Sequence, residues 1–207
     1  MSGCVNDATD WAGVLVERGF KVASLLDEQA TKAAMLKAMG ELIAKASKGD
    51  TLVITFSGHG TYQPDTDGDE VDGLDEALCP YDLQTNGEAL TDDEIRNLFL
   101  TRKAGVRIVL ISDSCHSGTV TRAAKAEKDA DSRPRFMPMG NWLPDKLLPR
   151  NRAGKVATTM TGPAGTTPFF GAYSNKLGDL LLSGCKEGPN NFSYDARIKG
   201  RFNGAFT

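Results

Sequence analysis

Two short segments hold the residues best suited to covalent chemistry: Ser57-Gly58-His59-Gly60, and Asp113-Ser114-Cys115-His116-Ser117-Gly118. A thiol beside an imidazole supports acyl transfer. The thiolate attacks a carbonyl carbon, and the imidazole takes the thiol proton and returns it to the leaving amine. Glycines flank His59, and Gly118 follows Cys115, so backbone can approach a substrate closely there. Backbone N–H groups in such turns can hold a developing oxyanion. Cys115 is therefore read as nucleophile and His59 as its general base. His116 adjoins the nucleophile, but neighbouring residues at a strand end point apart, and it is read as structural.

The elements around these segments bring them together. Thr51–Phe56 and Val106–Ser112 are short apolar, β-branched runs that read as buried strands, and each motif follows the C-terminal end of one of them. In open parallel sheets, sites gather at that edge. Helices are expected from Asn6/Asp7 to Arg18, from Ala30 to Lys48, and from a capping box at Thr91-Asp92-Asp93-Glu94 to Arg102. Phe20–Leu26 reads as a strand, 58–76 as a polar loop and Leu177–Ser183 as a further strand. Alternating strands and helices argue for one α/β domain with a parallel sheet. The pattern lapses over 119–170, which reads as a long linker rich in Pro, Gly and basic residues.

The chain has 207 residues, 40% apolar and 25% charged, with a net charge of −3. That balance and the absence of a basic cluster argue against nucleic acid. No apolar run has membrane-spanning length, and the N-terminus carries no secretory pattern. Cys4, Cys79, Cys115 and Cys185 lie far apart, so reduced thiols in a cytoplasmic protein are expected, with neither a disulfide framework nor a structural zinc. The acidic run Asp65–Glu76 is a weak EF-hand match, because Glu70 stands where that loop needs glycine.

The paired motifs, in this order, resemble the metacaspases and their bacterial relatives, the orthocaspases. So do Ser2-Gly3-Cys4-Val5-Asn6-Asp7-Ala8, Asp72-Gly73-Leu74-Asp75-Glu76, Pro80-Tyr81-Asp82 and Gly204-Ala205-Phe206-Thr207. The resemblance implies a caspase-like three-layer α/β sandwich with a mostly parallel central sheet. Residues 1–118 would be a large-subunit-like segment, 119–170 a linker, and 171–207 the start of a small-subunit-like segment. It also implies a cysteine endopeptidase with His59 and Cys115 as dyad, the N–H groups of Gly60 and Cys115 as oxyanion hole, and Cys4, Asp7, Ser57 and Asp113 lining the S1 pocket. Two carboxylates in a desolvated pocket favour a cationic side chain, so cleavage after Arg or Lys is expected. The competing reading makes Asp7 a helix cap and Asp113 a turn former.

The basic linker would then be a candidate for self-processing, with peptide or protein as substrate and a monomer as the acting form. The chemistry needs no cofactor. The family's calcium site falls on Asp75, Asp92 and Asp93, with Arg122 in the fourth carboxylate's place; that cation weighs against calcium as an activator. Only Met1-Ser2 precede the first family segment and the chain stops at Thr207, so terminal strands of the family are expected to be missing. Two rival readings are an inactive, calcium-responsive binding module and a thiol hydrolase of non-peptide amides.

Overall fold

The computed structural model describes residues 1–66, 68, 73–115, 132–149, 180–183, 194–198 and 200–204. Within these the chain forms helices α1 (Ser2–Glu17), α2 (Lys32–Lys45), α3 (Leu83–Asn86) and α4 (Asp92–Leu100). The strands are β1 (Thr51–Ser57), β2 (Gly60–Pro64), β3 (Leu74–Leu78), β4 (Leu90–Thr91), β5 (Arg107–Asp113), β6 (Ser132–Pro134), β7 (Leu180–Ser183), β8 (Tyr194–Ile198) and β9 (Arg201–Asn203). They make three sheets: parallel β1-β5-β7, and antiparallel β2-β3-β4 and β6-β8-β9.

The parallel sheet carries the main core. Leu52, Ile108 and Leu110 pack with Met39 and Ile43 of α2 and with Ile95 and Phe99 of α4. Each such side chain contributes roughly 1.5–3 kcal/mol by leaving water. The capping box expected for α4 is present: the Thr91 hydroxyl accepts the Glu94 N–H, and the Glu94 carboxylate accepts the Thr91 N–H. A second core gathers Tyr62, Leu74, Ala77, Phe136, Met139, Trp142, Leu143 and Leu148 around the buried Cys115. Residues 136–148, inside the stretch read as a linker, are thus packed against β2 and β3.

Other expectations are corrected. Phe20–Leu26 is not a strand; it has no ladder partner among the described residues, and Val22 and Leu25 face solvent. An extended run without a neighbouring strand cannot satisfy its backbone as sheet. The stretch 58–76 is not all loop, because β2 and β3 pair across it from Gly60↔Leu78 to Pro64↔Leu74. α1 starts at Ser2 rather than at Asn6 or Asp7, so Asp7 lies inside the helix and is no cap. Its carboxylate points into the protein, fully buried.

Candidate active site

β1 and β5 pair in parallel with Ser57 opposite Asp113. His59 and Cys115 each lie two residues beyond those partners, so the two motifs leave the sheet side by side. The Gly58 N–H reaches the Asp113 carbonyl at 3.4 Å, which ties the two turns together. Cys115 is buried and His59 partly buried. Burial lowers the His59 pKa to about 4, helped by the positive chain terminus and by Arg135. The ring is therefore neutral at pH 7 and able to accept a proton. Its Nδ1 is buried with no hydrogen-bond partner among the described residues.

The turns present two converging donors. The N–H groups of Gly60 and Cys115 both donate to one oxygen, the Arg135 carbonyl, at 2.9 and 3.0 Å. Two backbone donors on one oxygen are suited to hold negative charge as it develops there. The next residues of that segment continue along β2. The Met137 N–H donates to the Gly60 carbonyl at 2.8 Å, and its carbonyl accepts from the Thr61 hydroxyl at 2.7 Å.

The Arg135 side chain fills a pocket of carboxylates. Its Nη2 donates to Asp7 and, at 2.7 Å, to Asp195; Nη1 lies 3.5 Å from the Asp113 carboxylate and donates to the Asp113 carbonyl at 3.1 Å. Arg135 has no exposed surface, and the three acids have 1% or less, so every charge here is out of water. A buried charge is tolerated only when it is paired and hydrogen-bonded. Burial alone would lower the Arg135 pKa, but Cys4, Asp113 and Asp7 outweigh it and hold the guanidinium more firmly protonated than usual.

The walls are built by distant parts of the chain. The Ser57 hydroxyl donates to Asp7 at 3.2 Å, and the Gly204 N–H donates to Asp7 at 3.0 Å. The Gly3 N–H, in the first turn of α1, donates to Asp195 at 2.9 Å. Neither glycine has room for a side chain: a Cβ at Gly3 would collide with the Asp195 carboxylate, and one at Gly204 with Asp113 and Arg135. Cys4 borders the same charges. Burial, and the acids more weakly, push its thiol up to about 11 against the pull of Arg135, so it stays protonated.

The structure thus gathers Cys4, Asp7, Ser57 and Asp113 around one cation, and sets Gly60 and Cys115 beside it. Sequence reasoning missed Asp195, Gly3 and Gly204 as walls, and placed Arg135 on an exposed linker. One signal existed for Asp195: an acid in Tyr194–Ile198, a short run with aromatic and β-branched residues, asks for a buried partner. His116 and Arg122 lie outside the described residues.

The acids considered for calcium sit elsewhere. Asp75 is buried on β3 and accepts from Gln63 Nε2 at 3.4 Å. Asp92 and Asp93 open α4, and Asp93 pairs with Arg96. Among the described residues, no group of three or more His, Cys, Asp or Glu could hold a metal ion. Asp75, Asp92 and Asp93 form no such group there, and no step below uses a calcium ion. No helix among the described residues is long and apolar enough to cross a membrane.

A parallel sheet flanked by helices, with a thiol and an imidazole at paired strand ends, defines a caspase-like α/β domain. The metacaspase, peptidase C14 domain profile matches residues 1–124, and the chain belongs to that family of cysteine peptidases. It is 42% identical over 129 residues to Metacaspase-1B of Aspergillus oryzae, covering 58% of this chain and 31% of the relative. Metacaspase-3 of Arabidopsis thaliana is 40% identical over 130 residues, covering 58% of this chain and 36% of the relative. The chain therefore spans about a third of the length of the curated relatives it matches. The crystal structure of protein GSU0716 from Geobacter sulfurreducens is similar over all of this chain and 70% of that one, with a TM-score of 0.66 and 32% identity.

Proposed function

We propose that the protein is a cysteine endopeptidase that hydrolyses peptide bonds after Arg or Lys. One observation carries the reading: a basic side chain fills a pocket of three carboxylates while the carbonyl of the same residue accepts two N–H groups beside Cys115 and His59. Asp7, Asp113 and Asp195, with Ser57 and Cys4, form S1. Three buried acids offer a guanidinium paired, charge-assisted hydrogen bonds and repel an anionic P1 side chain. The N–H groups of Gly60 and Cys115 form the oxyanion hole.

In each turnover the Cys115 sulfur attacks the carbonyl carbon after P1, and neutral His59 accepts the thiol proton. The oxyanion rests on the two N–H groups. Collapse breaks the C–N bond, His59 protonates the leaving amine, and water then hydrolyses the thioester to restore the thiol. Self-processing within 119–170 belongs to the same reading, because the segment places its own basic residue in S1. The acting form in this reading is a monomer. A cytoplasmic setting is in keeping with the free thiols of Cys4, Cys79 and Cys115.

A peptide inhibitor with P1 arginine and an electrophilic warhead tests the assignment. It should modify Cys115 in the processed protein, and Cys115→Ala should take up no label. Labelling at another cysteine, or none at all, would favour a binding module with an unreactive thiol.

A further inference from the structure

We infer that residues 132–137 lie in the active site as a built-in substrate, that the first bond cut is Arg135–Phe136, in cis, and that the intact segment shuts the site to other substrates until then. This rests on the peptidase reading above and adds the bond, the order and the consequence.

Four independent contacts place the segment as a substrate rather than as a neighbouring loop. Arg135 occupies the acidic pocket, and its carbonyl oxygen sits on the Gly60 and Cys115 N–H groups. On the N-terminal side, Ser132–Pro134 pairs antiparallel with β8, with Arg133 opposite Asp195, so the chain enters the pocket as an added strand. On the C-terminal side, the Met137 N–H bonds the Gly60 carbonyl, which fixes the backbone on both sides of the Arg135–Phe136 bond. Phe136 is buried and stacks on Tyr62, with ring centroids 5.7 Å apart and planes 24° apart. That contact gives the leaving side an apolar, aromatic pocket.

Cleavage follows with atoms in balance. The Cys115 sulfur bonds to the Arg135 carbonyl carbon and its proton passes to His59. The bond to the Phe136 nitrogen breaks, that nitrogen takes the proton from His59, and water hydrolyses the thioester to leave the Arg135 carboxylate and the free thiol. A second copy cannot perform this cut, because Arg135 has no exposed surface and its bond is shielded by the site that holds it. While the chain is intact, the same segment fills S1 and the oxyanion donors, so an external peptide finds neither. After the cut, the new chain end at Arg135 follows β6 and its short ladder to β8 and is no longer tied to Phe136 and Met137.

Wild-type protein, Cys115→Ala and Arg135→Lys are followed by intact mass and N-terminal sequencing, alongside turnover of a fluorogenic P1-Arg peptide. The proposal requires a fragment beginning at Phe136 in wild type, formed at a first-order rate independent of protein concentration. Cys115→Ala should stay whole, even when mixed with wild type. Arg135→Lys keeps the charge but loses the forked contacts, and should be cut at the same bond about tenfold more slowly. Peptide turnover should rise in step with the fragment, from a lag of near-zero rate. Cys115-dependent cutting only at other basic residues would overturn the inference and leave the peptidase reading standing, as would full peptide turnover by uncut protein. Absence of both self-cleavage and peptide turnover would sink the two together.

Discussion

The Arg135 carbonyl oxygen accepts the Cys115 backbone N–H at 3.0 Å, while its guanidinium lies against Asp7, Asp113 and Asp195, which are 128, 22 and 60 residues away in the sequence. One residue therefore touches both the proposed oxyanion donors and the proposed S1 pocket. On that reading these are the groups a substrate must satisfy, and each can be removed in turn.

Cys115→Ala should abolish peptide turnover, and His59→Ala should lower kcat by about 10²- to 10⁴-fold, the range for losing a general base. Circular dichroism should show both variants folded. His116→Ala should keep most of the activity. Activity surviving in His59→Ala but lost in His116→Ala would reverse the assignment.

Asp195→Asn should reduce kcat/KM for P1-Arg peptides by about 10- to 100-fold, since a hydrogen bond to a charged group contributes roughly 1.5–3 kcal/mol. The effect on a peptide with neutral P1 should be small. Equal losses on both peptides would make Asp195 an element of folding rather than of specificity.

Gly204→Ala should damage the pocket, because the added Cβ collides with the Asp113 carboxylate and the Arg135 guanidinium. A fall in self-cleavage and in P1-Arg turnover, with a lower Tm, is the expected result. Unchanged self-cleavage would show that Gly204 does not pack on the bound arginine.

The pH dependence should follow His59. Its pKa is lowered to about 4 in the intact chain, so the imidazole remains neutral as pH falls through 6.5 and gains its proton only near pH 4. Self-cleavage should therefore hold steady from about pH 8 to about pH 5 and fall below that. An acid limb centred on the ordinary histidine value would place the ring in a more solvated setting.

Activity should be the same with calcium and with a chelator. Asp93 is already paired with Arg96, and the acids considered for the ion are not gathered into a metal site among the described residues. A large gain in rate on adding calcium would require a site outside them.

The proposed dyad was legible in the sequence because His59 and Cys115 lie on two local motifs, each closing a strand whose apolar character is plain. Asp7 and Asp113 were legible through family resemblance, although only the structure shows Asp7 inside α1 rather than capping it. Gly204 was not, since nothing local marks a residue whose role is set by a contact nearly two hundred positions away, and Asp195 carried only the signal of an acid in a strand-like run. β2 and β3 were hidden because Asp/Gly-rich turns dominate the stretch between them. Arg135 was hidden for a related reason. In a run of basic residues its type predicts solvent, and only three acids brought from different elements make burial favourable.

The most direct measurement is kcat/KM of the self-processed enzyme on matched peptides that differ only at P1. The proposed pocket predicts that P1-Arg leads, P1-Lys follows, and P1-Asp is slower than either by at least about a hundredfold, because an anion among three buried carboxylates is repelled. P1-Asp turnover equal to or faster than P1-Arg would contradict it.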